Sequence, residues 1–225
     1  MTAHADHADT RIALFARAPV PGAVKTRLIP LLGSGRAAAL HRLLLARSIE
    51  TALDAGVGPV DLWCAPSAEH PQFQNYIQRY SISARSQSCG DLGDRMLDAA
   101  YRTLPSTPAI IIIGSDCPAM NSSDLRDAAR ALARTDAVLM PAEDGGYALL
   151  GLKRCDSALF IGLDWGTERV LTQTRERLAA LHFRWSELRC IWDVDRPEDF
   201  ERLLGSGLIP GIGRLLERPF PSTPP

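Results

Sequence analysis

The run Ala109-Ile-Ile-Ile-Ile-Gly114 constrains the fold more than any other part of the sequence. Its residues are apolar and mostly β-branched, and they leave no polar face. This composition predicts a central strand of a parallel sheet whose two faces are both covered by helices. Because parallel neighbours need long crossover connections, helices should alternate with strands along the rest of the chain.

The rest of the 225-residue chain fits this alternation. Short apolar runs predict further strands at residues 11–16, 60–64, 82–85, 137–140, 147–152 and 190–194. Helical spacing and end signals predict helices at residues 35–55, 71–80, 91–101, 123–134, 167–181 and 197–204, with Ser123 as one of the caps. The order of these elements predicts an α/β fold, a three-layer sandwich around a mostly parallel central sheet.

Length, composition and charge favour one globular domain that binds a small molecule. Hydrophobic residues make up 46% of the chain, so we expect a single domain over residues 1–225 with loose tails at residues 1–9 and 218–225. The net charge of −1 offers no basic excess for nucleic acid. With five scattered cysteines, no secretory signal and no membrane-length apolar run, we expect a soluble, cytoplasmic protein.

A basic loop follows the first predicted strand. It runs from Arg17 through two prolines and Gly22 to Lys25 and Arg27. Gly22 permits close approach of the backbone to a ligand, and the three cations suit a diphosphate. The loop lacks the spacing of a P-loop or of G-x-G-x-x-G, so a solvated surface turn is the alternative.

Carboxylates follow two of the predicted strands. Asp116 comes directly after the strongest strand, at the edge where open parallel sheets bind ligands. A divalent cation that bridges phosphates takes such oxygen ligands, although Asp116 in a structural role would only cap the next turn. Asp193 and Asp195 alternate along a predicted strand, so only one of them can readily join Asp116 at a metal.

Two softer signals lie elsewhere in the chain. Gly90, Asp91 and Gly93 open the predicted helix at residues 91–101, whose free N–H groups could meet a nucleotide. Trp165 and Thr167 could stack on and hold a sugar. A plain helix start and a buried aromatic beside a helix cap are the structural alternatives. The five histidines are scattered, and none is assigned a catalytic role.

Several of these segments together resemble one known family. They are Phe15-Ala-Arg-Ala-Pro-Val-Pro-Gly-Ala-Val-Lys-Thr-Arg-Leu28, Gly114-Ser-Asp-Cys-Pro118, Asp144-Gly-Gly-Tyr147, Trp165-Gly-Thr167 and Asp193-Val-Asp-Arg-Pro-Glu-Asp199. They are similar to a bacterial family of proposed glycosyltransferases that is associated with arsenosugar biosynthesis. That family belongs to the nucleotide-diphospho-sugar transferase superfamily, and the resemblance spans about residues 11 to 205.

The resemblance implies a GT-A (Rossmann-like) fold and a metal-dependent glycosyltransferase that uses a nucleotide-sugar donor. In such a protein the first loop holds the diphosphate, and Asp116 binds Mg²⁺ or Mn²⁺. Related cytidylyltransferases carry a second metal-binding Asp before a T-P-E-D-like segment, which corresponds to Asp195 here. Arg196, however, replaces the small residue usual in those relatives. The resemblance leaves formation of a homodimer open.

The loop at residues 143–146 is a candidate for the catalytic base and the substrate contacts. Inverting enzymes of this type deprotonate their acceptor, often with a carboxylate on a loop beyond the metal site, and Asp144 is our hypothesis for that base. Gly145 and Gly146 suggest backbone close to a ligand. A plain turn shaped by Asp144 would use the same residues.

The sequence leaves two other functions open. One is a nucleotidyltransferase, similar to guanylyl- or cytidylyltransferases, that releases pyrophosphate. The glycine-rich loop of those enzymes is replaced here by two prolines and a single glycine. The other is a nucleotide-binding regulator without catalysis.

Overall fold

The structure, a computed structural model, describes residues 10–214. Its strands are β1 (Thr10–Arg17), β2 (Val60–Ala65), β3 (Ser83–Ser86), β4 (Ala109–Gly114), β5 (Ala137–Pro141), β6 (Tyr147–Leu152) and β7 (Trp185–Glu187). Its helices are α1 (Ile29–Ala55), α2 (Pro71–Tyr80), α3 (Leu92–Thr103), α4 (Ser122–Leu132), α5 (Val170–Ala180) and α6 (Pro197–Ser206). The predicted loose tails, residues 1–9 and 218–225, lie outside the described residues.

The strands form one seven-stranded sheet in the order β3-β2-β1-β4-β6-β5-β7. From β1 the chain continues to β2 on one side, whereas from β4 it continues to β5 on the other side. The boundary between β1 and β4 is therefore the switch point of the sheet, where α/β proteins bind ligands beyond the carboxyl ends of the strands.

The sheet is mixed, which corrects the expectation of a mostly parallel one. β6 runs antiparallel to both of its neighbours, β4 and β5, while the other strand pairs are parallel. The reason is the connection at residues 142–146, which is too short for a crossover and long enough only for a tight return. This return brings the loop that contains Asp144 to the edge where β4 ends.

Helices cover both faces of the sheet, so the three predicted layers are present. Apolar residues of α1, α2 and α4 pack on one face, and those of α3 and α5 pack on the other. The predicted central strand, β4, is buried along its apolar run. Among the helices in the described part of the chain, none combines the length and the apolar character needed to cross a membrane.

A third apolar cluster supports the loop between β1 and α1. It joins Leu28 and the first half of α1 to Val194 and to Phe200 of α6. Because these residues are buried together, the basic loop and the segment around Val194 have fixed positions beside the switch point.

Several predicted elements or their boundaries are wrong, and three of them concern the surroundings of the site. α4 is capped by Asn121 rather than Ser123, because Asn121 and Asp124 bond to each other's backbone N–H groups in a capping box. α5 begins at Val170, since the Thr167 hydroxyl donates to the Asp164 carbonyl within a preceding turn. Residues 190–194 form only an isolated bridge at Ile191, because the segment then leaves the sheet to cross the end of β4.

Candidate active site

A buried ion pair lies at the switch point. Lys25 is only 8% exposed, and its Nζ lies 2.8 Å from Oδ1 of Asp116 and donates to the carbonyl of Val194 at 2.7 Å. Lys25 has left-handed backbone dihedrals, with φ of 49° and ψ of 42°, which turn its side chain inward from the loop. The amide of Val194 in turn donates to the Asp116 carbonyl at 2.9 Å. Three chain segments therefore meet at Asp116.

His41 is a residue of this site that the sequence analysis missed. It lies on α1, is 4% exposed, and places Nδ1 3.6 Å from Asp116 Oδ1 while Nε2 contacts the Arg17 carbonyl at 3.0 Å. A histidine on the apolar face of a predicted helix, beside Leu40 and Leu44, was the signal that could have identified it.

The surroundings of Asp116 favour its ionised form. Burial by itself would raise the pKa of Asp116, but the charge of Lys25 and the proximity of His41 outweigh it and lower the pKa well below its ordinary value. The Asp116 side chain is still 41% exposed. A permanently ionised and accessible carboxylate therefore stands at the centre of the site.

Three cavities form a cleft along this edge of the sheet. The central cavity, about 540 Å³, is lined by Arg17, Lys25, Asp91, Asp116, Asp195 and their neighbours. The basic cavity, about 530 Å³, shares Arg17 and Arg95 with it. The acidic cavity, about 270 Å³, shares Asp116, Leu92 and Gly114 with the central one. Asp116 therefore stands where the central and acidic cavities meet.

Asp193 and Asp195 line different cavities, but the predicted strand on which they would alternate is absent, and each of them shares a cavity with Asp116. Asp195 lines the central cavity and forms an ion pair with Arg27. Asp193 lines the acidic cavity together with Asp116 and Asp144. Burial, followed by the charges of Asp144 and Asp116, raises the pKa of Asp193 to about 6, although Lys25 acts in the opposite direction. The acidic cavity therefore brings together carboxylates that repel one another.

The predicted nucleotide-binding residues divide into two groups. Arg17, Lys25 and Asp91 line the central cavity. Four others, Gly22, Arg27, Gly90 and Gly93, are not among the residues that line the described cavities.

The three glycines of this second group are explained by backbone conformation or close packing rather than by ligand contact. Gly22 provides a positive φ of 85° in an open turn. Gly90 has a φ of 104° and lies against Asp94, the partner of Asp91 in the capping box of α3. At Gly93 a Cβ would lie 2.5 Å from Nε1 of Trp165 and 2.8 Å from the Phe160 carbonyl. Gly93 thus lets Trp165 pack closely on α3.

The predicted substrate residues cluster in the acidic cavity, with one exception. Asp144, Gly146, Trp165 and Thr167 line it. Gly145 does not, because it turns with a φ of 86° against the backbone of Glu168, where a Cβ would lie 2.3 Å from the carbonyl oxygen. Asp144 accepts from the Gly146 N–H at 2.9 Å, so it also shapes the turn.

Cys117 lines the same cavity but is poorly suited to nucleophilic attack. Burial, together with the charges of Asp116 and Asp193, raises the pKa of its thiol well above the ordinary value, although Lys25 opposes this. The thiol therefore stays protonated, and its role is packing.

The donor set at the meeting point suits a hard divalent cation. Asp116 with Asp195 in the central cavity, or with Asp193 in the acidic one, offers carboxylate oxygens of the kind Mg²⁺ and Mn²⁺ prefer. Within residues 10–214, no three His, Cys, Asp or Glu side chains are gathered closely enough to hold a metal. Lys25 occupies one oxygen of Asp116, and Arg27 pairs with Asp195.

The chain belongs to a family of uncharacterized proteins conserved in bacteria (DUF2064), whose family model matches residues 48–167, more than half of the chain. No curated protein matches it. Among solved structures, it is similar to a protein of Desulfovibrio desulfuricans G20 proposed to be a nucleotide-diphospho-sugar transferase. The TM-score is 0.83 at 26% identity, covering 93% of this chain and 94% of that one.

More distant structures share the fold. CMP:2-keto-3-deoxy-manno-octonic acid synthetase, solved with CTP, has a TM-score of 0.58 at 13% identity over 88% of this chain and 98% of its own. Rv0371c of Mycobacterium tuberculosis H37Rv, solved with manganese, has a TM-score of 0.54 at 18% identity over the same shares. These two likenesses show the fold alone, whereas the similarity to the Desulfovibrio protein, at 26% identity, is the one that supports the superfamily named above. The association with arsenosugars stays a prediction.

We expect Gly93→Ala to destabilise the protein by about 1–3 kcal/mol, because the new Cβ would overlap Trp165 and the Phe160 carbonyl. Chemical denaturation with Trp fluorescence measures both the stability and the environment of the indole. The matched control is Gly205→Ala on α6, where a Cβ meets nothing within 4 Å. A Gly93→Ala protein as stable as the Gly205→Ala protein would contradict the packing role.

We expect Asp193→Asn to raise the melting temperature at pH 7.5 but not at pH 4, in buffer with a chelator. The pKa of Asp193 is raised from 3.8 to about 6 on folding. Between these values the folded protein binds more protons than the unfolded chain, so the stability contributed by neutral Asp193 is lost as pH rises. Asn keeps the neutral form at every pH. The control is Asp98→Asn, which removes a carboxylate that pairs with Arg102 on α3. An equal rise in melting temperature for Asp98→Asn would refute the raised pKa of Asp193 as the cause.

Proposed function

We propose that this member of the DUF2064 family is a glycosyltransferase that moves a sugar from a nucleotide-diphospho-sugar donor to an acceptor in the acidic cavity. The observation that carries the proposal is the polarity of the cleft. Cationic side chains line one end, carboxylates line the other, and the two ends meet at Lys25 and Asp116. Such a cleft suits a donor with an anionic diphosphate and an acceptor of different charge.

The donor nucleotide is best accommodated by the central and basic cavities. Arg17 and Arg95 line both cavities and suit phosphate oxygens. The basic cavity adds apolar walls and Ser88, whose buried hydroxyl finds no hydrogen-bond partner among the described residues. An unpaired polar group beside an apolar wall suits a nucleobase, which has flat faces and a polar edge.

The chain supplies part of the charge stabilisation that the transfer requires. Lys25 is held in place by Val194 and Asp116, so its ammonium group is already oriented toward a departing diphosphate. A divalent cation held by Asp116, with Asp195 or Asp193, would neutralise the phosphate charge as a Lewis acid.

The acceptor hydroxyl needs a base, and Asp144 is our candidate. Asp144 lies on the tight return before β6 and lines the acidic cavity, whereas the adjacent Glu143 does not line it. Glu143 instead binds Arg202 of α6 through two hydrogen bonds of 2.7 and 3.1 Å. Only one member of the acidic pair is therefore available to a substrate.

Nucleotidyl transfer is the second candidate. A nucleoside triphosphate would use the same cations Arg17, Lys25 and Arg95, which is the observation that favours it. In that reaction the acceptor would attack the α-phosphate and release pyrophosphate. Assays for pyrophosphate and for nucleoside diphosphate release separate the two reactions.

We expect nucleoside diphosphates to raise the melting temperature, and Mg²⁺ or Mn²⁺ to increase the shift, since ligands that bind the native state stabilise it. Asp116→Asn should remove the metal-dependent part of nucleotide affinity measured by calorimetry. Asp127→Asn, which removes a similar carboxylate from an exposed pair on α4, should leave it unchanged. Equal nucleotide affinity of folded Asp116→Asn and wild-type protein in the presence of metal would refute the proposal.

We expect Asp144→Asn to lower kcat by about 10²–10⁴-fold, the usual contribution of a general base, with donor affinity nearly unchanged. Asn preserves the acceptor oxygen for the Gly146 N–H and therefore the turn. Glu143→Gln is the matched control, because Glu143 binds Arg202 away from the cavity. Wild-type turnover by Asp144→Asn would exclude the role and leave Asp144 as a turn residue.

A further inference from the structure

The lining of the acidic cavity carries several negative charges and no positive one among the described residues. Its lining includes Asp116, Asp144 and Asp193, but no Lys, Arg or His among the residues that the structure describes. The arginines of the cleft, Arg17 and Arg95, line only the central and basic cavities. An anionic group in the acidic cavity would therefore face carboxylates without a cationic side chain in the lining to neutralise it.

Lys25 is the cation bonded to this cavity's Asp116, but it lines the central cavity and not the acidic one. Its ammonium group is already bonded to Asp116 and to the Val194 carbonyl, so the three carboxylates of the acidic cavity outnumber it. Within residues 10–214, the hydrogen bond that Asp144 accepts comes from the backbone N–H of Gly146, which carries no full charge. A divalent cation held by Asp116 would supply positive charge to the donor phosphates.

Aromatic rings form another wall of the same cavity. Trp165 and Tyr147 meet edge to face, with ring centroids 6.4 Å apart and an interplanar angle of 82°. Gly93 fixes the position of the indole by leaving room for its Nε1 edge against α3. The position of this apolar surface is thus set by packing that does not depend on a ligand.

Carboxylates beside an aromatic wall suit a polyhydroxylated ring. Hydroxyl groups donate to carboxylates in short, charge-assisted hydrogen bonds, while the C–H face of the ring packs on the indole. The volume of about 270 Å³ lies below the range of about 300–1,000 Å³ typical for drug-sized ligands, which favours a molecule the size of one sugar.

We infer that the acidic cavity binds an acceptor that carries hydroxyl groups and no phosphate or carboxylate, a neutral monosaccharide or polyol. This inference rests on the proposed function, because it names the substrate class of the acceptor half of the cleft. Asp116, Asp144 and Asp193 reject anionic acceptors, and Trp165 provides the stacking surface.

The test uses matched pairs of neutral and phosphorylated probes on the full-length enzyme saturated with nucleoside diphosphate. The probes are glucose, mannose and galactose, each with its 6-phosphate, and their binding is measured by saturation-transfer NMR. Neutral sugars should bind, and their phosphates should bind about tenfold more weakly or worse, which corresponds to about 1.4 kcal/mol of repulsion. Phosphates that bind as well as the neutral sugars, or a failure of all six probes, would overturn the inference.

Variants locate the binding and separate its failure from that of the proposed function. Trp165→Leu should abolish sugar binding, whereas Trp185→Leu on β7, which does not line the cavity, should not. The double variant Asp144→Asn, Asp193→Asn should bring the phosphorylated sugars to within about threefold of the neutral ones, because two carboxylates are gone. Unchanged sugar binding by Trp165→Leu, or unchanged discrimination by the double variant, would overturn the inference. Nucleotide binding in the same samples reports on the donor site independently.

Discussion

The ion pair between Lys25 and Asp116 is the interaction on which the arrangement of the cleft depends. Lys25 is almost fully buried, and a buried ammonium group is costly unless an opposite charge and further acceptors meet it. Asp116 and the Val194 carbonyl meet that need at 2.8 and 2.7 Å. The basic loop, the end of β4 and the segment before α6 are therefore held together at one point.

This junction also explains the opposite characters of the two ends of the cleft. The basic loop lies toward β2 and β3, and it brings Arg17 to cavities that Arg95 of α3 also lines. The tight return before β6 and the residues after Ile191 bring Asp144 and Asp193 to the other side. The topology of the sheet thus confines the arginines of the cleft to the central and basic cavities and leaves the lining of the acidic cavity without a cationic side chain among the described residues. This difference is the basis for proposing a donor and an acceptor of different charge.

Several features could be predicted from the sequence because their causes are local. The isoleucine run of β4 has one stable place in an α/β protein, the middle of a covered sheet, and the alternation of apolar runs predicted most strands and helices around it. The position of Asp116 directly after that strand predicted its place at the carboxyl edge of the sheet, beside the switch point. The connection between β5 and β6 is too short for a crossover, so it also requires that β6 run antiparallel to β5.

What the sequence by itself determined is most of the strands and helices, the edge of the sheet at which Asp116 lies, and the basic and acidic residues that come near it. Only the tertiary structure decided which of these residues share a cavity, because that depends on contacts between distant segments. It brought His41 to Asp116, assigned Asp193 and Asp195 to different cavities, and showed Gly93 to be a packing residue for Trp165. These outcomes depend on contacts between residues that lie far apart in the sequence, such as Gly93 and Trp165, which are more than 70 positions apart. Local periodicity carries no information about such contacts.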